Sequence, residues 1–366
     1  MDNLSIRELS FKDFRNYPSF YLGDITPLTI LVGPNAVGKT NIIEGIQLLT
    51  SHTSFRRPLM RQLIREGCQS ATISAEVAND QRLLTLESRI SEGKKLHTLN
   101  GKTKTAAELK GLLPSVVFTP DDLQLVKGSP SKRRRALDDL GSQLSANHYQ
   151  ITQDYEKVIQ QKNRLLKEQA DPLLLQSYNE VIVRVGATLE VYRRALFNRL
   201  QNSMAEYYTS ITQTTEVLTG VYCASWEVES CGNQEISRAE VEQRLSDTLE
   251  QKFSEEIYRG RSLVGPHSDR IELYINNLSV GDFASQGQQR SVVLAWKLAE
   301  VQLIQDILHQ QPVLLLDDVM SELDESRRTA LISALAGEIQ TFITTTNLAY
   351  FSDDLLKKAR VVRLGA

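Results

Sequence analysis

With 366 residues, 41% hydrophobic and 24% charged, the chain has the composition of an ordinary globular protein and the length for two domains or one elaborated domain. A formal net charge of −3 excludes attachment to nucleic acid by overall attraction, so any such contact requires a local basic patch. No apolar run approaches the roughly 18 residues of a membrane span. The N-terminus MDNLSIRELSFKDF lacks a signal pattern, and Cys68, Cys223 and Cys231 lack metal-ligand spacing, so the expectation is a cytoplasmic protein with reduced thiols and no structural zinc.

In chain order, Leu4 to Phe11 and Ser19 to Leu22 read as short strands punctuated by Asn16, Pro18 and Gly23. The phrase LSFKDFRNY sets Phe11, Phe14 and Tyr17 beside Lys12 and Arg15, a set suited either to stacking on adenine or to a strand core with a basic edge. The apolar segment Leu28 to Val32 then runs into GPNAVGKT, after which Ile42, Ile43, Ile46 and Leu49 recur at helical spacing. A strand, a glycine loop and a helix in that order make a phosphate-binding P-loop. In Gly33, Pro34, Asn35, Ala36, Val37, Gly38, Lys39 and Thr40, the two glycines let backbone N–H groups and the helix N-terminus face a phosphate. Lys39 is expected to reach the β- and γ-phosphates of ATP, and Thr40 to ligate Mg²⁺.

Beyond that helix, SFRRPLMRQLIREG gathers Arg56, Arg57, Arg61 and Arg65, either a DNA phosphate contact or a solvated helix face. Three strand-like runs follow as an antiparallel meander, and Asn100-Gly101 is a hairpin signal flanked by Lys94, Lys95, Lys102 and Lys104, a second possible DNA contact. Lys132, Arg133, Arg134 and Arg135 fall in the first turns of a helix, where the dipole disfavours cations unless an anion is present. From there to about Gln213 the pattern is helical, broken at Asp171-Pro172. It reads as two long helices in an antiparallel hairpin, with a compact bundle as the alternative. The stretch from Val221 to Glu229 is read as a strand, followed by an acidic helix. LVGPHSDR places His267 and Asp269 in a glycine-proline turn, more naturally a hydrogen-bonded turn than a catalytic dyad.

Near the C-terminus, PVLLLDDVMSELD ends a buried-strand pattern in two carboxylates, the Walker B arrangement. Asp317 is assigned to Mg²⁺ and Asp318 to the attacking water. Upstream, Ser285, Gly287 and Gln288 open a long amphipathic helix and resemble the signature motif of ABC-type ATPases. In that family the signature of one subunit closes over the γ-phosphate on another. About 245 residues separate Thr40 from Ser285, far more than in a transporter ATPase, and the excess resembles the SMC-type branch with its helical arm. A transporter subunit is the alternative kept open; a small-molecule kinase is a third, for which the signature would be coincidence.

Nearly the whole chain resembles the RecF family, through GPNAVGKTN, FTPDDLQLVKGSPSKRRRALD, LVGPHSDR, SQGQQR and LLLDDVMSELD. The resemblance implies an α/β fold, an ABC-type P-loop ATPase head with a mixed sheet interrupted by a helical domain with a short antiparallel hairpin. The expected division is residues 1–130 and 261–366 for the head and 131–260 for the arm. It implies ATP and Mg²⁺ as cofactors, an ATP-dependent homodimer, binding to single-stranded DNA and gap junctions, and slow hydrolysis. It also implies work with RecR and RecO in loading RecA during recombinational repair, replication restart and the SOS response. Lys39, Asp318 and Ser285 are then the catalytic set, and Asp324 belongs to the D-loop. Thr344 to Thr346 stand where relatives carry a switch histidine, and Thr119, Asp121 or Asp122 where they carry a Q-loop glutamine, which points to slow turnover.

Overall fold

The computed structural model describes residues 3–227, Gly232, 236–335 and 339–365. They form two compact units, Met1–Asp122 with Glu300–Ala366, and Leu123–Ala299. The α/β architecture holds, with one parallel and two antiparallel sheets.

In the first unit the chain runs through β1 (Ser5–Phe14), β2 (Tyr17–Leu22), β3 (Leu28–Val32), α1 (Lys39–Thr50), α2 (Met60–Leu63), β4 (Ser70–Ala78), β5 (Leu83–Ser91), β6 (Lys94–Leu99), β7 (Lys102–Lys104), α3 (Ala106–Leu109) and β8 (Ser115–Phe118). Strands β2-β1-β4-β5-β6-β7 make an antiparallel sheet whose inner face alternates with a polar outer face, as in β4, where Ala71, Ile73, Ala75 and Val77 point inward. Asn100 (φ 51°) and Gly101 (φ 73°) both take the left-handed conformation that a two-residue hairpin between β6 and β7 requires. Phe11 and Phe14 are buried in this core, which settles them as packing residues; only Tyr17 of the three aromatics is partly exposed.

Helix α1 buries Ile42, Ile43, Ile46 and Leu49 between the sheets, worth about 1.5–3 kcal/mol for each side chain. The second sheet is all parallel, and its strands are near-continuous apolar runs because both faces are covered.

In the second unit the elements are α4 (Gln124–Lys127), α5 (Pro130–Leu144), α6 (Ala146–Lys167), α7 (Pro172–Thr212), β9 (Leu218–Cys223), α8 (Arg238–Arg259), β10 (Arg270–Ile275), β11 (Leu278–Ser279) and α9 (Val280–Phe283), and α10 (Gln286–Leu308) begins there. The strand expected over 221–229 is β9, which starts earlier, at Leu218, and ends at Cys223, with a turn over 224–227; residues 228 and 229 lie outside the described residues. Cys223 is disulfide-bonded, which corrects its reading as a thiol, and Cys68 is free. The helical stretch has one break more than its periodicity suggested: Ser145 is extended (φ −149°, ψ 124°) and caps α6 by accepting from the His148 N–H. The chain bends there tightly enough that a Cβ on Gly141 would lie 2.5 Å from the His148 ring. Helices α6 and α7 pack on each other, α8 packs on α7, and Tyr155, Ile159, Ile182, Leu189, Leu245 and Leu249 share one core.

The four cations that open α5 have separate fates. Arg133 donates to the carbonyls of Ile271 (2.5 Å) and Leu125 (2.9 Å), and Arg134 to those of His267 and Asp269. These carbonyls answer the two guanidiniums, so the anion inferred from the helix dipole is not needed for them. His267 and Asp269 do not pair either. The Tyr155 hydroxyl meets His267 Nδ1 at 2.8 Å, while Asp269 accepts from the Tyr222 hydroxyl (2.5 Å) and the Ser225 N–H (2.8 Å).

After α10, the chain returns to the first unit with β12 (Val313–Asp317), α11 (Glu325–Leu335), β13 (Thr341–Thr345), α12 (Asp353–Lys358) and β14 (Arg360–Arg363), completing the parallel order β14-β3-β13-β12-β8. Among the described residues no helix is long and apolar enough to cross a membrane.

Candidate nucleotide site

Three neighbouring parallel strands, β3, β13 and β12, end on the same edge of the sheet, and the register pairs Val32 with Thr345 and Asp317 with Thr344. Topology alone therefore delivers the glycine loop and the two carboxylates to one place, the usual ligand position in an open α/β sheet.

The loop is shaped for an anion. Gly38 (φ 107°) caps α1, Ala36 is also left-handed (φ 65°), and no side chain caps the helix N-terminus. A side chain at Gly38 is excluded, since a Cβ would fall 2.7 Å from Asn16 Nδ2 and 2.8 Å from the Tyr17 hydroxyl. Lys39 is buried and folds back along the loop, its Nζ donating to the carbonyls of Gly33 (2.7 Å) and Pro34 (2.9 Å). The Tyr17 hydroxyl beside the loop is buried and has no hydrogen-bond partner among the described residues, and burial pushes its pKa up to about 12.

Asp317 is buried at the end of β12 and accepts from the Thr344 hydroxyl at 2.7 Å. Burial raises its pKa, and the Thr344 and Thr40 hydroxyls that bond its carboxylate oppose the rise. The P-loop threonine and the strand carboxylate therefore meet, as a shared Mg²⁺ requires; the donor set, one hydroxyl and one carboxylate with open positions, suits that ion. Asp318 takes a left-handed backbone (φ 55°), which turns its side chain off the strand. Its Oδ1 is buried with no partner among the described residues, and burial raises its pKa while Lys39 opposes the rise. Next to β12, Thr119 follows β8 and is bound by Asp122, which accepts from its N–H (2.6 Å) and hydroxyl (3.1 Å); Asp121 is exposed.

Sequence reasoning missed the polar frame around the loop. Glu44 on α1 is fully buried and receives Arg15 through two bonds of 2.7 Å and the Ser54 hydroxyl at 2.5 Å. Asn16 donates to the Val37 carbonyl and accepts from Asn41. An open cleft of about 620 Å³ adjoins the loop, lined by Arg15, Asn16, Asn41, Gln62, Arg65 and Glu66. The only sequence trace of this frame was the FRNY phrase; the partner Glu44 carried no signal because helix periodicity hides it.

The four arginines expected on DNA separate. Arg56 bonds Asn41 (2.8 Å) and lies 3.8 Å from Glu44, and Arg65 pairs with Asp13 at 2.8 Å. Arg57 and Arg61 are exposed. Lys104 pairs with Glu108 at 2.8 Å, whereas Lys102 is exposed. Asp324 accepts from the Arg327 N–H at the start of α11, and its pKa is lowered by that bond.

Ser285, Gly287 and Gln288 lie in the other unit, at the start of α10. The Ser285 hydroxyl accepts from the Gln288 N–H (3.2 Å), and the Gln288 side chain accepts from the Ser285 N–H (2.8 Å), a capping box. The Gln288 amide also donates to Glu216 at 2.7 Å. Ser285 and Gln286 are exposed.

Comparison with known proteins gives consistent results. The family profile described as RecF/RecN/SMC N terminal domain matches residues 5–362. The DNA replication and repair protein RecF of Bacillus cereus (strain B4264) is 34% identical over 98% of this chain and 96% of its own length. A solved structure of the recombination mediator protein RecF-ATP in the RecFOR pathway is 29% identical, with a TM-score of 0.87 over 96% of this chain and 94% of that one. The Smc head domain of Pyrococcus furiosus, at 16% identity and TM-score 0.53 over 98% of this chain and 93% of that one, shares the fold.

Proposed function

The chain belongs to the RecF family of the RecF/RecN/SMC group, and from that premise we propose that it is an ATP-controlled DNA-binding protein of DNA repair, acting in a RecFOR pathway. The observation that carries the reading is the meeting of Thr40, Asp317 and Thr344 beside an uncapped helix N-terminus.

In this reading Gly33, Pro34, Asn35, Ala36, Val37 and Gly38 hold the triphosphate of ATP through backbone N–H groups, and Lys39 exchanges the carbonyls of Gly33 and Pro34 for phosphate oxygens. Bound Mg²⁺ neutralises phosphate charge. Thr40 and Asp317 hold that ion. Asp318, with a buried oxygen lacking a partner, accepts a hydrogen bond from the attacking water. Thr344, bonded to Asp317, belongs to the threonine run that stands where relatives carry an imidazole, so in this reading turnover is slow.

Ser285, Gly287 and Gln288, with Asp324, act on the nucleotide of a second copy, making ATP a bridge between two protomers. A ligand drives association only through interactions it makes in the associated state alone, and an exposed serine at a helix start supplies one. DNA held by the dimer at gaps and single-stranded regions, with RecR and RecO as partners in loading RecA, completes the proposal.

Sedimentation with and without ATP·Mg²⁺ tests it. The expected result is monomer to dimer on adding ATP, abolished by Lys39→Met and by Ser285→Arg. A monomer that binds ATP throughout would overturn the bridging role of Ser285.

A further inference from the structure

The outward face of the antiparallel sheet carries its charges in separate rows. The register places Ser19, Lys12, Thr72, Arg89 and Leu96 side by side across β2, β1, β4, β5 and β6. Beside it lies the row Ser70, Ser91 and Lys94. Toward the opposite end, one row holds Tyr21, Ser10, Ser74, Glu87 and Thr98, and the next holds Glu8, Glu76 and Thr85. Among these paired residues two rows carry cations only and two carry acids only, with Arg7 exposed at the bulge beside Glu8 and Glu92 exposed in the turn before Lys94. Ser10 and Ser74 bond each other at 2.7 Å, which fixes the outward orientation of these rows.

A face that serves only solubility intersperses both signs. Here Lys12, Arg89 and Lys94 are exposed, and none makes a salt bridge among the described residues. From strand spacing, Lys12 and Arg89 stand roughly 10 Å apart and Arg89 and Lys94 roughly 8 Å. Hydroxyls of Ser19, Thr72, Ser70 and Ser91 fill the places between. Segment 63–65 joins this basic end through hydrogen bonds between Arg15 and Leu63 and between Arg65 and Asp13. Arg61 lies just before that segment and is exposed.

The geometry points to the basic end of this sheet face, Lys12, Arg89 and Lys94 with their intervening hydroxyls, as the contact surface for the phosphate backbone of duplex DNA. This rests on the DNA-binding reading above and joins Lys94 of the hairpin cluster to Lys12 and Arg89, which the sequence did not place with it. Ammonium, guanidinium and hydroxyl groups without base-reading reach give sequence-independent phosphate contacts. The two cationic rows contain no aromatic side chain on which an unpaired base would stack, so a duplex fits this surface and a single strand does not.

The test compares wild type with Lys12→Ala/Arg89→Ala/Lys94→Ala in titrations of a fluorescent blunt duplex over a range of salt. Removing the three cations is expected to weaken duplex binding roughly tenfold or more, and to flatten the dependence of log K on log salt by about 0.9 for each phosphate no longer neutralised. ATP binding stays unchanged in this variant, and Glu76→Gln at the acidic end leaves duplex binding as in wild type. A photoreactive group on Thr72→Cys is expected to cross-link the duplex, and one on Thr85→Cys is not. Unchanged affinity and salt slope in a variant whose parent binds DNA would overturn this surface and leave the DNA reading standing. Equal weakening of single-strand binding would overturn the choice of a duplex. A wild-type chain that binds no DNA would remove the DNA reading and this surface together.

Discussion

The Thr344 hydroxyl donates to Asp317 Oδ1 at 2.7 Å, between residues paired in register on β13 and β12. Thr344→Val removes the donor and leaves a buried carboxylate short of a partner. We expect the folded chain to lose about 1–3 kcal/mol. ATP·Mg²⁺ affinity should fall with it, because the Asp317 carboxylate is then raised further by the burial that Thr344 now opposes. Urea unfolding and nucleotide titration measure the two effects separately.

Asp318 has a buried oxygen without a partner among the described residues and lies in the field of Lys39. Asp318→Asn preserves shape and removes proton acceptance. ATP binding is expected within a few-fold of wild type, while turnover at saturating ATP drops by about 10²–10⁴. A turnover equal to wild type would take the water-orienting role from this residue.

Glu44 and Arg15 form a pair in which the acid is fully buried. Breaking it from one side strands the other charge, so Glu44→Ala is expected to lower unfolding stability by about 3–5 kcal/mol. The double variant with Arg15→Ala should cost less than the two single changes added together, since the partners act as a unit. Additive losses in the cycle would show that the two side chains are independent.

The rings of His52 and His97 lie edge to face at 4.8 Å, with the charges of Lys95 and Lys110 nearby and the Ser88 hydroxyl on His97. Burial, with those lysines, lowers His52 to about 3 and His97 to about 4. Their unfolded values lie near 6.5, so on acidification the unfolded chain takes up these protons first. The stability due to neutral rings is complete above about pH 6.5 and is lost as pH falls toward the folded values. His52→Phe keeps the ring packing and removes one titration. Its stability between pH 4.5 and 6 should fall less steeply than wild type, by about 1.4 kcal/mol per pH unit at most. Parallel curves from denaturation at several pH values would contradict this.

The loop, its strand and its helix were legible because they are contiguous: Leu28 to Leu49 states strand, glycine turn and amphipathic helix without reference to any distant residue. Asp317 and Asp318 were legible for the same reason. What the sequence hid is pairing at long range. Arg15 finds Glu44 across 29 positions, and Arg133 finds the Ile271 carbonyl across 138, so an argument from the local helix dipole assigned α5 an anion that backbone carbonyls replace. Arg56 and Arg65 looked like any other cation of the run, and only the fold shows their partners Asn41 and Asp13. The strand-like runs of the meander were legible, but the arrangement of charge over its outer face needed the strand register.

The capping box of Ser285 and Gln288 gives the proposed dimer a particular temperament. In the free chain the serine oxygen is already occupied by a neighbour three residues on. That bond uses a lone pair of the oxygen and leaves the hydroxyl proton to donate to a foreign phosphate, a gain of the order of one ordinary hydrogen bond, about 0.5–1.5 kcal/mol. A latch built from such small surpluses holds only while every one of them is present. In the proposed dimer, losing a single phosphoryl group would then suffice to let the two halves part, and slow hydrolysis would make a timer and not an engine.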